Sequence, residues 1–307
     1  MTHDRVLVTG GAGFIGVNLA PVLASLGYLT RCYDDFSTGR RADAERAAYD
    51  EVVVGDILDL AALTEAARGC AHVVHLAAQA GVPASVRAPL EDSELNVRGT
   101  LNTLLAARDA KVGGFVFASS NAPLGEITPP AHEDMVPRPT SPYGASKLAG
   151  EAYCSAFTGS YGLPTTVLRF ANVYGPFSYH KGSVVAAFCK QAMAGQPLVV
   201  YGDGTQTRDF VFVEDLCRGV GAALAHDGEA TVAHLGSGVE TTVLDVAQLV
   251  ADRLGGASVE HQAERAGDVM RNYADISLAR ELLGFEPRVT LEEGLDRTVA
   301  WFRESSE

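Results

Sequence analysis

A tyrosine and a lysine four residues apart carry the clearest chemistry in this sequence. Tyr143 and Lys147 follow Ser141-Pro142 in a segment that favours a helix, so their side chains share one helix face. A phenol ordinarily loses its proton at a pH of about 10, and an ammonium beside it favours the ionised form. The pair therefore predicts a tyrosine base that works near neutral pH. The alternative for the pair taken alone is an ordinary surface contact.

A serine at a strand end supports the catalytic interpretation. Residues 115–118 form an apolar run that ends in Ser119 and Ser120. Parallel α/β sheets bind ligands at the carboxyl ends of their strands. We therefore expect the Ser120 hydroxyl to bond a substrate oxygen beside Tyr143, whereas Ser119 is expected to serve only the strand end or a helix cap.

The first sixteen residues predict a binding site for a dinucleotide. A buried strand over Arg5–Thr9 is followed by Gly10-Gly-Ala-Gly13-Phe-Ile-Gly16, which opens a helix. Gly10 suits the tight turn, Gly13 lets the backbone approach phosphates, and Gly16 lets the helix pack closely on the strand. The helix N-terminus adds unpaired N–H groups and a partial positive charge for the pyrophosphate.

A carboxylate after the second predicted strand indicates which dinucleotide binds. Asp34 ends the apolar run 28–33. A carboxylate at this place can bind both ribose hydroxyls of NAD and repels the 2′-phosphate of NADP. NAD is therefore the predicted cofactor.

The elements that must position these residues alternate between short β-branched runs and helical patterns. This alternation predicts an α/β fold with a Rossmann-type, doubly wound parallel sheet and helices on both faces. The predicted strands are 5–9, 28–33, 51–54, 72–76, 114–118 and 165–170, and the predicted helices between them include 17–26, 60–68 and 90–108.

The alternation breaks after Phe170. Residues 172–204 are rich in Gly, Pro and Tyr, which predicts a smaller, mixed α/β substrate-binding lobe. The later predicted elements are a helix at 211–225, a strand at 231–235, and helices at 243–254, 277–283 and 291–302. We assign 1–171 plus about 207–237 to the NAD-binding domain, and about 172–206 plus 238–307 to the lobe.

Composition restricts the partners and the compartment. The chain of 307 residues has a net charge of −14, which repels nucleic acid and anionic membranes, so we expect neither as a partner. Five scattered cysteines without a C-x-x-C pair predict buried thiols in a reducing compartment. No metal site is predicted, since the histidines show no ligand spacing. With no signal peptide or membrane-spanning run recognised, we expect the cytoplasm.

Together these motifs resemble the extended short-chain dehydrogenase/reductase family. The shared pattern is Gly10-x-x-Gly13-x-x-Gly16, Asp34, Ser120 ahead of Tyr143-x-x-x-Lys147, and Leu168-Arg-Phe-Ala-Asn172-Val-Tyr-Gly-Pro176. Within that family the chain is most similar to NAD-dependent nucleotide-sugar 4-epimerases. The resemblance implies a UDP-sugar substrate, a tightly held NAD that is reduced and reoxidised within one turnover, and a homodimer formed through helices at 90–108 and 141–159.

The resemblance also implies roles for individual residues. Tyr143 is the base for the 4-hydroxyl of the sugar, Lys147 bridges to the nicotinamide ribose, and Ser120 binds the same sugar oxygen. The implied NAD contacts are Gly10, Gly13, Phe14, Ile15, Gly16, Asp34, Asp35, Phe36, Ser37, Thr38, Gly39, Asp56, Ile57, Leu76, Ala77, Ala78, Gln79, Ala80, Asn96, Tyr143 and Lys147. The implied substrate contacts are Ser120, Asn121, Tyr143, Asn172, Val185, Tyr201, Arg208, Arg265 and Asp268. A simple turn is an equal alternative for Asp56.

The residues after the strand end favour epimerisation. Related 4,6-dehydratases carry Thr-Asp-Glu where this chain has Ser120-Asn121-Ala122, so no carboxylic acid is placed to move protons at carbons 5 and 6. Two departures concern the sugar pocket. Residues 121–125 differ from the usual Ala-x-Val-Tyr-Gly, and Asn272 takes the position where a bulky residue excludes N-acetyl groups in hexose epimerases.

The sequence only slightly favours one sugar over the others. Residues 77–82 resemble UDP-glucuronate 4-epimerases, and His180-Lys181 could offer a cation to a carboxylate at carbon 6, so UDP-glucuronate is slightly favoured. UDP-glucose and UDP-N-acetylglucosamine are the alternatives. A 4-keto-sugar reductase and a non-catalytic NAD-binding regulator are further alternatives, and a solvated loop is an equal alternative for His180-Lys181.

Overall fold

Thirteen strands and twelve α-helices are seen in the computed structural model, which describes residues 4–226, 230–264 and 269–305. The strands are β1 (Arg5–Thr9), β2 (Leu29–Asp34), β3 (Glu51–Val54), β4 (His72–His75), β5 (Gly114–Ser120), β6 (Thr165–Phe170), β7 (Asn172–Tyr174), β8 (Leu198–Tyr201), β9 (Thr207–Arg208), β10 (Phe210–Phe212), β11 (Thr231–Leu235), β12 (Thr241–Thr242) and β13 (Val259–Gln262). The helices are α1 (Phe14–Ser25), α2 (Arg41–Arg46), α3 (Leu60–Ala67), α4 (Val82–Arg87), α5 (Pro89–Ser93), α6 (Gly99–Ala110), α7 (Pro142–Tyr161), α8 (Val184–Met193), α9 (Val213–Leu224), α10 (Val243–Arg253), α11 (Ser277–Leu283) and α12 (Leu291–Glu304).

Seven of these strands form one sheet in the order β11-β6-β5-β4-β1-β2-β3, and all their pairings are parallel. The chain runs outward from β1 to β3 on one side and from β4 to β11 on the other. The order therefore reverses between β1 and β4, where doubly wound sheets open a crevice for ligands at the carboxyl ends of the strands. The predicted Rossmann-type fold is confirmed.

Helices cover both faces of this sheet because the strands are apolar on both sides. On one face α1, α9 and α11 pack through side chains such as Leu19, Leu216 and Ala279. On the other face α3, α6 and α7 contribute Leu63, Leu104 and their neighbours. This burial on both faces explains why the strand sequences are continuous apolar runs.

A second, smaller core includes residues of two of the three two-stranded sheets, β7/β10 and β8/β13. β7 pairs with β10, β8 with β13, and β9 with β12. Helices α8, α10 and α12 pack around them through Phe188, Val246 and Phe302. The sequence places α11 with this lobe, yet Ala279 and Leu283 pack in the core of the parallel sheet, because α11 lies on β11 and α9. The exact domain bounds stay a prediction.

The long helix expected over 90–108 is interrupted. A π-helical turn, Glu94–Arg98, joins α5 to α6. Such a turn inserts one extra residue into a helix, which the periodicity of apolar residues does not reveal. The turn carries Asn96 and brings its side chain to the loop after β4.

The cysteines agree with the sequence interpretation, since all five are buried and unpaired. Among the residues described, no helix is both long and apolar enough to cross a membrane.

Candidate active site

The turn after β1 leaves no room for a side chain at Gly10 or at Gly16. Gly10 has φ +69°, and a Cβ at this residue would lie 2.6 Å from the backbone nitrogen of Ala77. A Cβ at Gly16 would lie 2.5 Å from the carbonyl oxygen of Gly11, so at Gly16 the start of α1 packs onto the turn, where the sequence predicted packing on the strand. Gly13 caps α1 without a side-chain bond. The first N–H groups of α1 therefore fit a pyrophosphate.

Asp34 stands beside this turn at the end of β2. Its Oδ2 accepts the Ala12 N–H (2.9 Å) and its Oδ1 accepts the Phe36 N–H (2.8 Å). Burial raises the pKa of Asp34, and these two hydrogen bonds oppose the rise. A carboxylate offers about four lone-pair sites, so both oxygens can still accept bonds from ribose hydroxyls. The next predicted contacts, Asp35, Ser37 and Thr38, are exposed.

Two other predicted cofactor segments also lie at this edge of the sheet. Asp56 is exposed, and its Oδ1 accepts the Leu58 N–H (2.8 Å), so it does stabilise a turn after β3, while Ile57 is buried. The loop 76–80 is anchored by Asn96, whose Oδ1 accepts the Gln79 N–H (2.8 Å) and whose Nδ2 donates to the Gln79 carbonyl (3.0 Å). Asn96 is 2% exposed and therefore holds the loop from beneath.

Tyr143 and Lys147 lie in the first two turns of α7. The helix begins after Ser141, whose hydroxyl accepts the Gly144 N–H (3.1 Å). Burial raises the pKa of Tyr143 to about 12; a hydrogen bond with Ser120 opposes this rise, and the charge of Asp92 adds to it. The structure thus brings Tyr143 and Ser120 together, as the sequence predicts.

The Lys147 ammonium has a partner that the sequence did not predict. It donates to the Ala118 carbonyl oxygen (2.8 Å) and lies 4.9 Å from the ring centre of Phe117. Burial lowers the pKa of Lys147 to about 8, against the opposing charges of Asp92 and Glu151. The group that lowers the pKa of the phenol is Ser120. A buried ammonium requires a hydrogen-bond acceptor, and the strand-end carbonyl is that acceptor.

The residues around the strand end form buried polar contacts. Ser119 donates to Glu151 of α7 (2.5 Å) instead of capping a helix. Asn121 is 8% exposed; its Oδ1 bonds His234 Nδ1 (2.9 Å), and its Nδ2 donates to Asn272 Oδ1 (3.3 Å). The two departures noted in the sequence, at 121–125 and at Asn272, therefore meet in space.

The predicted substrate contacts show three kinds of surroundings. Asn172 is exposed at the start of β7, and Arg208 of β9 donates to the carbonyls of Thr207 (2.7 Å) and Val269 (2.6 Å). Tyr201, at the end of β8, is partly exposed. The structure corrects the prediction that Val185 contacts the substrate. Its side chain is 1% exposed and packs in the core of the lobe, so it offers no surface to a ligand.

Two predicted substrate residues, Arg265 and Asp268, lie outside the described residues. His180 is exposed. Lys181 turns inward, where its ammonium lies 3.4 Å from the Val173 carbonyl oxygen and 4.7 Å from the ring centre of Phe14. Burial lowers the pKa of Lys181 to about 8. This cation therefore faces the turn after β1. The alternative of a solvated loop does not hold for the Lys181 side chain.

Comparison with known proteins agrees with this geometry. The model of the NAD dependent epimerase/dehydratase family matches residues 6–236. The chain belongs to this family. A UDP-glucose 4-epimerase of Mycolicibacterium smegmatis is 38% identical over 99% of this chain and 100% of its own length. A UDP-glucuronate 4-epimerase of Thermodesulfobacterium geofontis is 34% identical over 98% of this chain and 97% of its own length.

Solved structures place this epimerase/dehydratase among NAD-dependent enzymes. The UDP-glucose 4-epimerase of Thermotoga maritima with UDP-glucose has a TM-score of 0.93 and 37% identity, covering 99% of this chain and 100% of its own. The UDP-glucose 4-epimerase of Thermus thermophilus in complex with NAD has a TM-score of 0.90 and 37% identity, covering 97% of this chain and 99% of its own. NAD is thus the cofactor of this epimerase/dehydratase.

Sequence reasoning missed several polar residues at this epimerase/dehydratase site. Glu151, Arg169 and His234 are buried within it, and none was assigned a role from the sequence, although Arg169 belongs to the motif at 168–176. Glu151 had a local signal, because it follows Lys147 by one helical turn on the same face of α7. Arg169 had its place in the motif at 168–176, whereas His234 had no signal, since its partner Asn121 is distant in the chain.

Proposed function

We propose that this epimerase/dehydratase is a UDP-sugar 4-epimerase and that UDP-glucose and UDP-galactose are its first substrate pair. The observation that carries the proposal is the strand end, where Ser120 lies beside Tyr143 and is followed by Asn121 and Ala122. These side chains suit proton transfer at one hydroxyl, and they supply no acid for dehydration. Support for glucose comes from a relative named UDP-glucose 4-epimerase that is 38% identical to this chain.

The residues of the chain divide the reaction between them. Tyr143 exchanges the proton of the 4-hydroxyl, and Ser120 bonds the same oxygen and orients it. Bound NAD supplies the acceptor and donor of hydride at carbon 4. The turn at Gly10–Gly16 and Asp34 hold this cofactor. Burial raises the pKa of Tyr143 to about 12 and the Ser120 hydrogen bond opposes only part of this rise, so ionising the phenol requires added positive charge, a role that we assign to the Lys147 ammonium one turn along α7.

UDP-glucuronate is the second candidate, and Lys181 is the observation that favours it. Its buried ammonium lies beside Phe14 and Val173, where it could neutralise a carboxylate at carbon 6. A UDP-glucuronate 4-epimerase is also among the relatives, at 34% identity. The preference for this sugar from sequence therefore stays a prediction.

The test is to incubate the purified protein with UDP-glucose, UDP-glucuronate or UDP-N-acetylglucosamine, each without added cofactor, and to identify the products by NMR. We expect UDP-galactose from UDP-glucose, and NAD that copurifies with the protein. If only UDP-glucuronate is converted, the second candidate replaces the first as the proposed substrate. Stoichiometric consumption of added NADH would contradict epimerisation and indicate a reductase.

A further inference from the structure

Three consecutive residues at the end of β5 contact three successive turns of α7. Ser120 hydrogen-bonds Tyr143, and the Ala118 carbonyl accepts the Lys147 ammonium. Ser119, between them, donates to Glu151. Positions 143, 147 and 151 are four residues apart and lie on one helix face. The strand end is thus joined to α7 at three points, two of which hold the proposed catalytic groups.

The third point is reinforced by a buried ion pair. Arg169 of β6 donates from Nε to Glu151 Oε1 (3.0 Å) and from Nη2 to Glu151 Oε2 (2.7 Å). The side chains of Arg169 and Glu151 are 4% and 6% exposed. A two-pronged bond of this kind sets both the distance and the orientation of its partners. Arg169 also pairs with Ser119 in the β5–β6 register.

We propose that Glu151 is a positioning residue of the active site, which with Arg169 fixes α7 against the end of β5 and so sets the places of Tyr143 and Lys147. Within the described part of the chain, the hydrogen bonds of this pair reach neither the proposed substrate contacts nor the NAD turn. It acts through Ser119, which lies between the two strand residues that bond Tyr143 and Lys147.

The charges of this pair also act on Lys147. The charged or titratable groups that face Lys147 are Asp92 of α5, His75 of β4, and Glu151 and Cys154 of α7. Those that face Arg169 are Glu151, Glu133 and His234. Loss of Glu151 alone leaves the Arg169 cation unbalanced, so it disfavours the charged form of Lys147. Loss of Arg169 alone leaves an extra anion and has the opposite effect.

The chain has four lysines, at 111, 147, 181 and 190, so the titration of Lys147 can be followed by NMR with ¹³C-labelled lysine side chains. The protein is used with its copurified NAD, and a Lys147→Met sample assigns the signal. We expect Glu151→Gln to lower the pKa of Lys147 by about 1, and Arg169→Met to raise it. The double variant, which removes both charges, should return the pKa close to its wild-type value.

This pattern distinguishes positioning by charge from general damage to the fold. An unshifted pKa in both single variants, or a shift in the same direction in both, would overturn the inference. Where a single variant fails to fold, as judged by its thermal transition, Glu151→Asp replaces Glu151→Gln. The Glu151→Asp variant keeps the negative charge, so the pKa of Lys147 should stay at about 8.

The kinetic readout rests on the proposed epimerase function, whereas the titration does not. For Glu151→Gln we expect kcat to fall about tenfold to a hundredfold, because misplaced reacting groups slow the chemical step, and KM to change little. The control is Arg218→Gln, which breaks the ion pair with buried Asp215 in α9 and should leave kcat unchanged. If the wild type is active and Glu151→Gln is equally active, this inference alone is wrong. If the wild type is inactive on every UDP-sugar, only the proposed function is wrong.

Discussion

Burial favours the neutral forms of Tyr143 and Lys147 relative to water, because both side chains are removed from solvent. Burial raises the pKa of Tyr143 to about 12 and lowers that of Lys147 to about 8. Their neighbours partly offset these shifts: Ser120 acts on the phenol, while Asp92 and Glu151 act on the ammonium. At this scale the protonation of the two side chains depends on a few buried polar contacts.

Replacing the phenol tests the role assigned to Tyr143. We expect Tyr143→Phe to lower kcat by about 10²–10⁴-fold, since positioned acid–base groups contribute about that much. The affinity for UDP, measured by titration calorimetry, should be unchanged. Tyr153→Phe on the same helix is the matched control and should keep wild-type turnover. Near-normal turnover of Tyr143→Phe would refute the assignment.

At the scale of elements, the NAD site depends on how closely α1 packs on the turn after β1. Gly16 allows this approach, because a Cβ there would lie within 2.6 Å of backbone atoms of Gly11. Gly10 lets the loop after β4 approach the same turn, because a Cβ at Gly10 would lie 2.6 Å from the Ala77 nitrogen. Backbone atoms cannot move aside as a flexible side chain can. The turn and the helix therefore act as one unit.

A methyl group at Gly16 should disturb that unit. We expect Gly16→Ala to destabilise the protein by about 1–3 kcal/mol through overpacking and to reduce the NAD that copurifies. Gly159→Ala is the control: it lies in α7 with open space around its Cβ position, so it should stabilise by roughly 0.5–1 kcal/mol. Thermal unfolding and the absorbance of released NAD measure both effects, and full NAD content in Gly16→Ala would contradict the prediction.

At the scale of the whole molecule, two buried histidines make stability depend on pH. His75 of β4 bonds Thr9 of β1 (2.7 Å) and Thr100 of α6 (3.0 Å). Burial lowers the pKa of His75 to about 3, and that of His234 also to about 3. The folded protein therefore keeps both rings neutral at pH values where the unfolded chain protonates them.

We expect stability to fall on acidification. The unfolded chain binds the extra protons below the ordinary histidine value of 6.5, so the stabilisation is complete above that pH and is lost as pH falls toward about 3. Each such histidine contributes a slope of at most about 1.4 kcal/mol per pH unit. Urea unfolding at several pH values measures it. His75→Gln should reduce the slope, exposed His180→Gln should not, and equal slopes in all three proteins would contradict the argument.

The homodimer implied by the family resemblance is a prediction at the same scale. Val86 of α4 and Leu90 of α5 are 61% and 85% exposed, and Leu90 belongs to the region expected in the dimer contact. Burying such side chains would favour association. Light scattering should give the mass of a dimer for the wild type and of a monomer for Leu90→Asp. A monomeric wild type would rule the dimer out.

The amino-acid sequence by itself determined the parallel sheet, the NAD turn and the positions of Tyr143, Lys147 and Ser120. These features depend on neighbours along the chain: apolar periodicity, glycine spacing, and two residues one helical turn apart. The π-helical turn at 94–98 and the burial of Val185 escaped this reasoning, because apolar pattern and motif alignment report neither.

Only the tertiary structure decided which groups the predicted site residues contact. Asn121 bonds Asn272, which is 151 residues away, and Glu151 bonds Arg169 on another element. Lys147 bonds the Ala118 carbonyl, although its spacing pointed to Tyr143. The physical reason is that a buried polar group must bond whatever partner the packing of distant segments brings within about 3 Å. Local sequence does not contain that information.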